Sequence, residues 1–201
     1  MKISTRLTMV SAAAGVVVLS GCGTTAENDG GAEQTTAVEE ALTVSVRNVE
    51  GDEVGTVQFS DVQDGTQVAA QVEGLEPGFY GFHVHGTGLC VPDSAAPDDP
   101  EETGAFLSAG GHLGAEEGEH PDHAGDLPSL YVTGSGMGNL VTLTDRFTLE
   151  DLQDEDGSAV MIHTGTDNYA NIPDRYAPEG PDEETLATGD AGSRLACGVV
   201  E

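Results

Sequence analysis

The chain has 201 residues, with 28 Gly and no Trp, which suits one domain of short strands and many turns better than a helical bundle. Its 36 Asp and Glu against six Lys and Arg give a formal charge of −30. No basic patch is available to neutralise phosphates, so nucleic acid is excluded as a partner, and an anionic membrane surface would repel the body of the protein.

Lys2 and Arg6 precede an apolar run from about Leu7 to Leu19. The run is too short for an ordinary transmembrane helix and fits the h-region of a signal peptide. It ends in Leu19-Ser20-Gly21-Cys22, which resembles a bacterial lipobox. Residues 1–21 are then a lipoprotein signal peptide, and Cys22 is the lipidated first residue. One acyl chain anchors a protein marginally, whereas a multiply acylated Cys holds it stably. The expectation is an exported protein, held by its N-terminal lipid on the extracytoplasmic face of the cell membrane. Residues 22–40 are polar and acidic and read as a disordered tether. A single domain then spans residues 41–201.

Period-two alternation begins after Ala41, with Leu42, Val44 and Val46 on one face of a first strand. Glu50-Gly51-Asp52 is a turn, Val54 to Phe59 a second strand, and Asp64-Gly65 a hairpin signal. Val68 to Val72, a turn at Glu76-Pro77-Gly78, and Phe79 to His85 continue the meander. Thr87 to about Gly125 lacks periodicity, and a loop of that length is usually functional. Strands resume at Leu130 to Thr133 and Leu140 to Phe147, joined by a turn at Gly134 to Gly138. A short helical turn is expected at Leu149 to Leu152, and a buried strand at Ala159 to His163. After a second long loop over residues 164–192, Leu195 to Val200 closes the domain. About eight antiparallel strands with two long functional loops predict an all-β Greek-key barrel or sandwich. No subunit interface is legible in this pattern.

With Cys22 assigned to the lipid, Cys90 and Cys197 remain. An oxidising compartment favours pairing them, the alternative being two thiol metal ligands. All six His fall between residues 83 and 163. His83 and His85 stand at i and i+2, on one face of a strand. His112 follows two Gly that permit a tight turn. His120, His123 and Asp126 follow at three-residue spacing, a set of N and O donors that suits zinc, with His112 able to supply a fourth. His163 ends the buried strand.

Three segments resemble those of copper/zinc superoxide dismutases: Gly81-Phe82-His83-Val84-His85-Gly86, Ser108 to His112, and Gly189-Asp190-Ala191-Gly192-Ser193-Arg194-Leu195-Ala196-Cys197-Gly198-Val199. The resemblance covers residues 41–201. It implies that His83, His85, His112 and His163 bind copper. It also implies that His112 bridges to a zinc held with His120, His123 and Asp126. Asp167 would be the carboxylate linking a copper ligand to a zinc ligand, Arg194 the active-site arginine, and Cys90–Cys197 the intrasubunit disulfide. Two stretches depart from the family pattern. His120 to His123 is short, and Cys90 to His112 is long, with the acidic run Asp98-Asp99-Pro100-Glu101-Glu102.

The implied chemistry is dismutation of superoxide to oxygen and hydrogen peroxide, with copper as the redox centre and zinc as a structural ion. Arg194 supplies permanent positive charge for an anionic substrate, and Arg175 in the second loop is a further candidate. The overall charge opposes that substrate at long range, so the salt dependence of the rate distinguishes a local from a global field. The alternative reading is a surface copper- and zinc-binding lipoprotein for metal buffering or delivery. A purely structural sandwich module would leave six His unexplained, and no Ser-His-Asp or Cys-His arrangement supports hydrolysis.

Overall fold

The computed structural model describes residues 41–201. The expected signal segment 1–21, Cys22 and the tether 22–40 lie outside the described residues. In chain order the strands are β1 Ala41–Asn48, β2 Glu53–Val62, β3 Gly65–Glu73, β4 Gly78–Tyr80 and β5 Phe82–His85, then β6 Ser94–Ala95 and β7 Thr103–Gly104, then β8 Leu130–Val132, β9 Met137–Thr144, β10 Ser158–His163 and β11 Arg194–Val200. Two short helices, α1 Leu149–Leu152 and α2 Glu183–Thr188, and a 3₁₀ turn at Leu107–Ala109 complete the elements. No helix among the described residues is long and apolar enough to cross a membrane.

Alternation builds the core. In β1, Val44 and Val46 are buried while Thr43 and Ser45 face solvent. Antiparallel register sets Val44 opposite Val57, and Phe59 opposite Val68, so inward side chains stack in rows. Each such burial contributes about 1.5–3 kcal/mol against leaving the side chain in water. Phe147, just beyond β9, packs edge-on against Phe59 at 6.1 Å. The Thr66 hydroxyl donates to the Phe147 carbonyl at 3.0 Å, tying the end of β9 to β3.

Nine strands form one antiparallel sheet in the order β4-β8-β9-β3-β2-β1-β11-β10-β5. β4 and β5 stand at its two ends although only Gly81 separates them in sequence. The run expected as one strand from Phe79 to His85 is therefore split, and by splitting it closes the sheet into a barrel. At the break, Gly81 N–H donates to the Gly165 carbonyl at 2.8 Å, and the Gly81 carbonyl accepts from His163 N–H at 2.9 Å. The other expected strands and the α1 turn are present, with boundaries shifted by a few residues. The long loops are more ordered than their sequences suggest: the first carries the β6–β7 hairpin and the 3₁₀ turn, and the second carries α2.

Candidate metal centre

β5 and β10 pair with Met161 opposite His83 and Ala159 opposite His85, which brings His163 at the end of β10 beside the two β5 histidines. The first long loop is drawn to the same place through the backbone of Val84. Val84 N–H donates to Gly125 O at 2.9 Å, and Leu113 N–H donates to Val84 O at 2.8 Å. The two arms of the loop also bond to each other, Gly125 N–H donating to Leu113 O at 2.8 Å. One residue between His83 and His85 thus clamps the arms carrying His112 and Asp126, and isolated bridges form at His83/Asp126 and His85/His112. A Cβ at Gly125 would overlap the Val84 carbonyl, so this approach requires Gly.

Backbone carbonyls fix the ring orientations. His85 Nδ1–H donates to Gly110 O at 2.8 Å, and His163 Nδ1–H to Gly192 O at 3.0 Å. A carbonyl can only accept, so each ring keeps a free Nε2, and these two atoms lie 3.4 Å apart. Asp167 spans two rings: His83 Nε2–H donates to Oδ2 at 2.8 Å, and His120 Nε2–H to Oδ1 at 2.9 Å. Both Asp167 and its partners are buried, and Tyr169 N–H donates to Oδ1 at 2.7 Å. A Cβ at Gly189, which has φ 60°, would overlap Asp167 Oδ1 and His120 Nε2, so this link too depends on Gly.

The remaining nitrogens converge in two adjoining clusters. One comprises His83, His85, His112 and His163, all buried. In the other, Asp126 Oδ1 lies 2.7 Å from His112 Nδ1 and 3.0 Å from His120 Nδ1, with Oδ2 3.3 Å from His123 Nδ1. His112 Nδ1 and His123 Nδ1 are 3.4 Å apart. Four donors at zinc's bond length of about 2.0–2.1 Å in a tetrahedron stand roughly 3.3 Å from each other, close to these separations. His83 also falls in the second group, but its Nε2 is committed to Asp167, so its one free nitrogen can serve a single ion. The buried His83 Nδ1 has no hydrogen-bond partner and, with that ring's proton on Nε2, is a bare lone pair. An orphaned atom of this kind calls for a ligand, and the chemistry of both sets fits metal ions.

Burial favours the neutral rings that metals need. His112 is lowered to about 4 by burial, aided by His83 and His120 and opposed by Asp126. His163 is lowered to about 3 by burial and by its neighbouring rings, and His85 is driven well down by burial first and then by His112. His120 differs: burial would lower it, but Asp126 and Asp167 outweigh burial and raise it to about 9. Burial would raise both carboxylates, yet their histidine partners hold them below the usual range.

Above the first cluster opens a cavity lined by His85, His112, His163 and Arg194. Arg194 opens β11 opposite His163 and makes no ion pair among the described residues. Its guanidinium instead donates to Phe106 O and Gly110 O, both at 2.6 Å. Burial lowers its pKa, and Glu102 on the same cavity wall opposes that. Phe106 is buried with Met161 and Cys197, and its N–H donates to Val91 O at 3.1 Å, next to the Cys90–Cys197 disulfide. The covalent link therefore steadies the segment on which Arg194 rests.

The six His, Asp126, Asp167, Arg194, Cys90 and Cys197 read from the sequence lie in this region, whereas Cys22 is outside the described residues, and Arg175 does not line the cavity and sits over the Tyr176 ring at 4.7 Å. The sequence reading missed the carbonyls of Gly110 and Gly192, which orient rings through the backbone. It also missed α2, whose Leu186 carbonyl accepts from His120 N–H at 2.7 Å. Helix signals were nonetheless present there, in Asp182 as N-cap and Gly189 as left-handed C-cap.

A family model for copper/zinc superoxide dismutase (SODC) matches residues 53–200. The chain is 43% identical over 179 residues to the Cu-Zn superoxide dismutase of Mycolicibacterium paratuberculosis, covering 85% of this chain and 78% of that one. It is 34% identical over 203 residues to Cu-Zn superoxide dismutase 1 of Salmonella typhimurium, covering 98% and 99%. Among solved structures, the Cu/Zn superoxide dismutase of Brucella abortus superposes with TM-score 0.61 at 30% identity, over 81% of this chain and all of that one. A similar match, TM-score 0.61 at 30% identity over 79% and 97%, is found with a SOD-like protein from Bacillus subtilis. Fold, histidine clusters and these similarities agree, and the chain belongs to the copper/zinc superoxide dismutase family.

Proposed function

We propose that His83, His85, His112 and His163 hold the copper of this dismutase, and that His112, His120, His123 and Asp126 hold its zinc. The supporting observation is that nitrogens of five buried imidazoles gather in two adjoining groups that both include His83 and His112, that His123 Nδ1 stands 3.3 Å from Asp126 and 3.4 Å from His112, and that a cavity with Arg194 on its wall opens above. Copper supplies the one-electron exchange that turns superoxide and protons into dioxygen and hydrogen peroxide, while zinc adds fixed charge without redox chemistry. The protein does the rest. His85 and His163 are held by carbonyls with Nε2 facing the cavity floor. Arg194 commits two of its N–H groups to carbonyls and keeps the others for an entering anion. With its Nδ1 beside Asp126 given to zinc, His112 would have Nε2 free to hold a proton whenever that atom is not a ligand, and could pass it to the peroxide product.

The test is superoxide dismutation by the copper- and zinc-loaded full chain beside Arg194→Ala. The variant should keep its copper and lose kcat/KM by about tenfold or more, as expected when a local guiding charge is removed. Copper binding without dismutation in the parent would overturn the assignment in favour of metal buffering.

The same reading includes export and a lipid on Cys22, supported by the apolar run before it. The disulfide, a bond that persists in oxidising compartments, adds to that support. Cys22→Ala should shift the protein out of the membrane fraction; unchanged fractionation would refute the anchor.

A further inference from the structure

Arg146 follows β9 on a backbone fixed at both sides. Its own N–H donates to Thr144 Oγ1 at 3.2 Å, and the next residue, Phe147, is buried in the barrel core. From this footing the guanidinium reaches across to the short segment between His120 and His123. Nη1 donates to Pro121 O at 2.6 Å and to His123 O at 3.2 Å, and Nη2 lies 3.3 Å from Asp122 Oδ1. All its side-chain bonds fall on residues 121–123. Nothing in the dismutation chemistry uses this cation.

We propose that Arg146 is a positioning residue for zinc, bracing the His120–His123 turn against the barrel so that the donors of both rings converge with Asp126. The proposal rests on the zinc assignment made above. The segment is short and polar, with Pro121 and Ala124 half-buried and Asp122 exposed, so it has little apolar surface of its own to dock. A planar guanidinium suits the task, because one of its nitrogens meets two carbonyls while the other faces the Asp122 carboxylate from the same rigid plane. The ion pair contributes little, since the Arg146 and Asp122 side chains are 40% and 81% exposed. The carbonyl bonds carry the brace.

The experiment measures zinc and copper affinity of the metal-free full chain by chelator competition, with cobalt(II) absorption as a report on site geometry. Arg146→Ala should weaken zinc binding by about 10–100-fold, the usual range when a residue that orients metal ligands is lost. Copper affinity should stay within about twofold, and the cobalt spectrum should lose its tetrahedral intensity. Arg146→Lys, which keeps the charge without the fork, should fall between. Asp122→Asn, which keeps the carbonyl bonds, should stay near the parent. Tight zinc binding by Arg146→Ala overturns the brace alone, and so does an equal loss in Asp122→Asn. Parallel loss of zinc and copper affinity with a lowered metal-free Tm also overturns it, by showing general destabilisation. A parent chain that binds no zinc overturns the zinc assignment and the brace together.

Discussion

His120 is a ring of the centre that its surroundings hold in the wrong protonation state for a metal. Its two carboxylate neighbours outweigh burial and raise it to about 9, so the metal-free chain carries a proton there at neutral pH. On the zinc assignment proposed above, zinc would have to displace that proton, and its uptake would be coupled to pH. Below the raised value the protonated fraction is near complete, so each unit of rising pH removes one tenfold handicap. Apparent zinc affinity should rise about tenfold per unit from roughly pH 6.5 to 8.5 and level off above about 9. Competition titrations across that range check this, and a flat profile would mean that His120 is already neutral. His112 and His163, lowered by burial to about 4 and about 3, add no such slope in the same window.

At the scale of elements, the strands were legible because each has a wet face and a dry face, as Val44 and Val46 show between exposed neighbours. The split at Gly81 was not, because the run looks continuous and only the closing of the barrel decides where its halves pair. The β6–β7 hairpin was hidden for a different reason: two-residue strands bury too little to impose a pattern. The zinc-like spacing of His120, His123 and Asp126 was readable from residue types, whereas the full set with His163 was legible only through the family resemblance. Its orientation was not, since Gly110 and Gly192 act through carbonyls that every residue possesses. The disulfide joins these levels. It closes a separation of 107 residues, which in the chain-entropy model stabilises the fold by about 4–5 kcal/mol. Cys90→Ser should lower Tm by about 10 °C or more. It should also reduce kcat/KM with copper retained, because Phe106, which holds Arg194, packs against Cys197. Calorimetry and steady-state rates test the pair of effects; a stability loss with unchanged kcat/KM would separate the disulfide from the placement of Arg194.

For the whole molecule the dominant fact is charge. The chain carries −30, and the cavity wall that holds Arg194 also presents Glu102, Glu184 and Asp190. A single half-buried cation then works against a field that repels its substrate over the full approach. Screening shortens the reach of that field from about 30 Å at 0.01 M salt to about 8 Å at 0.15 M. The kcat/KM for superoxide should therefore rise, by roughly twofold or more, over that interval. A rate that falls would show that the local field of Arg194 prevails. The closing of the barrel carries its own consequence. The strand that completes the cylinder, β5, carries His83 and His85, and its neighbour β10 carries His163. Ions held by these histidines would pin β5 to its neighbour β10, so this edge could not unzip until ligand bonds broke. Metal release and the fraying of this edge would then become one slow event, and the loaded protein would gain persistence in time as well as depth in free energy.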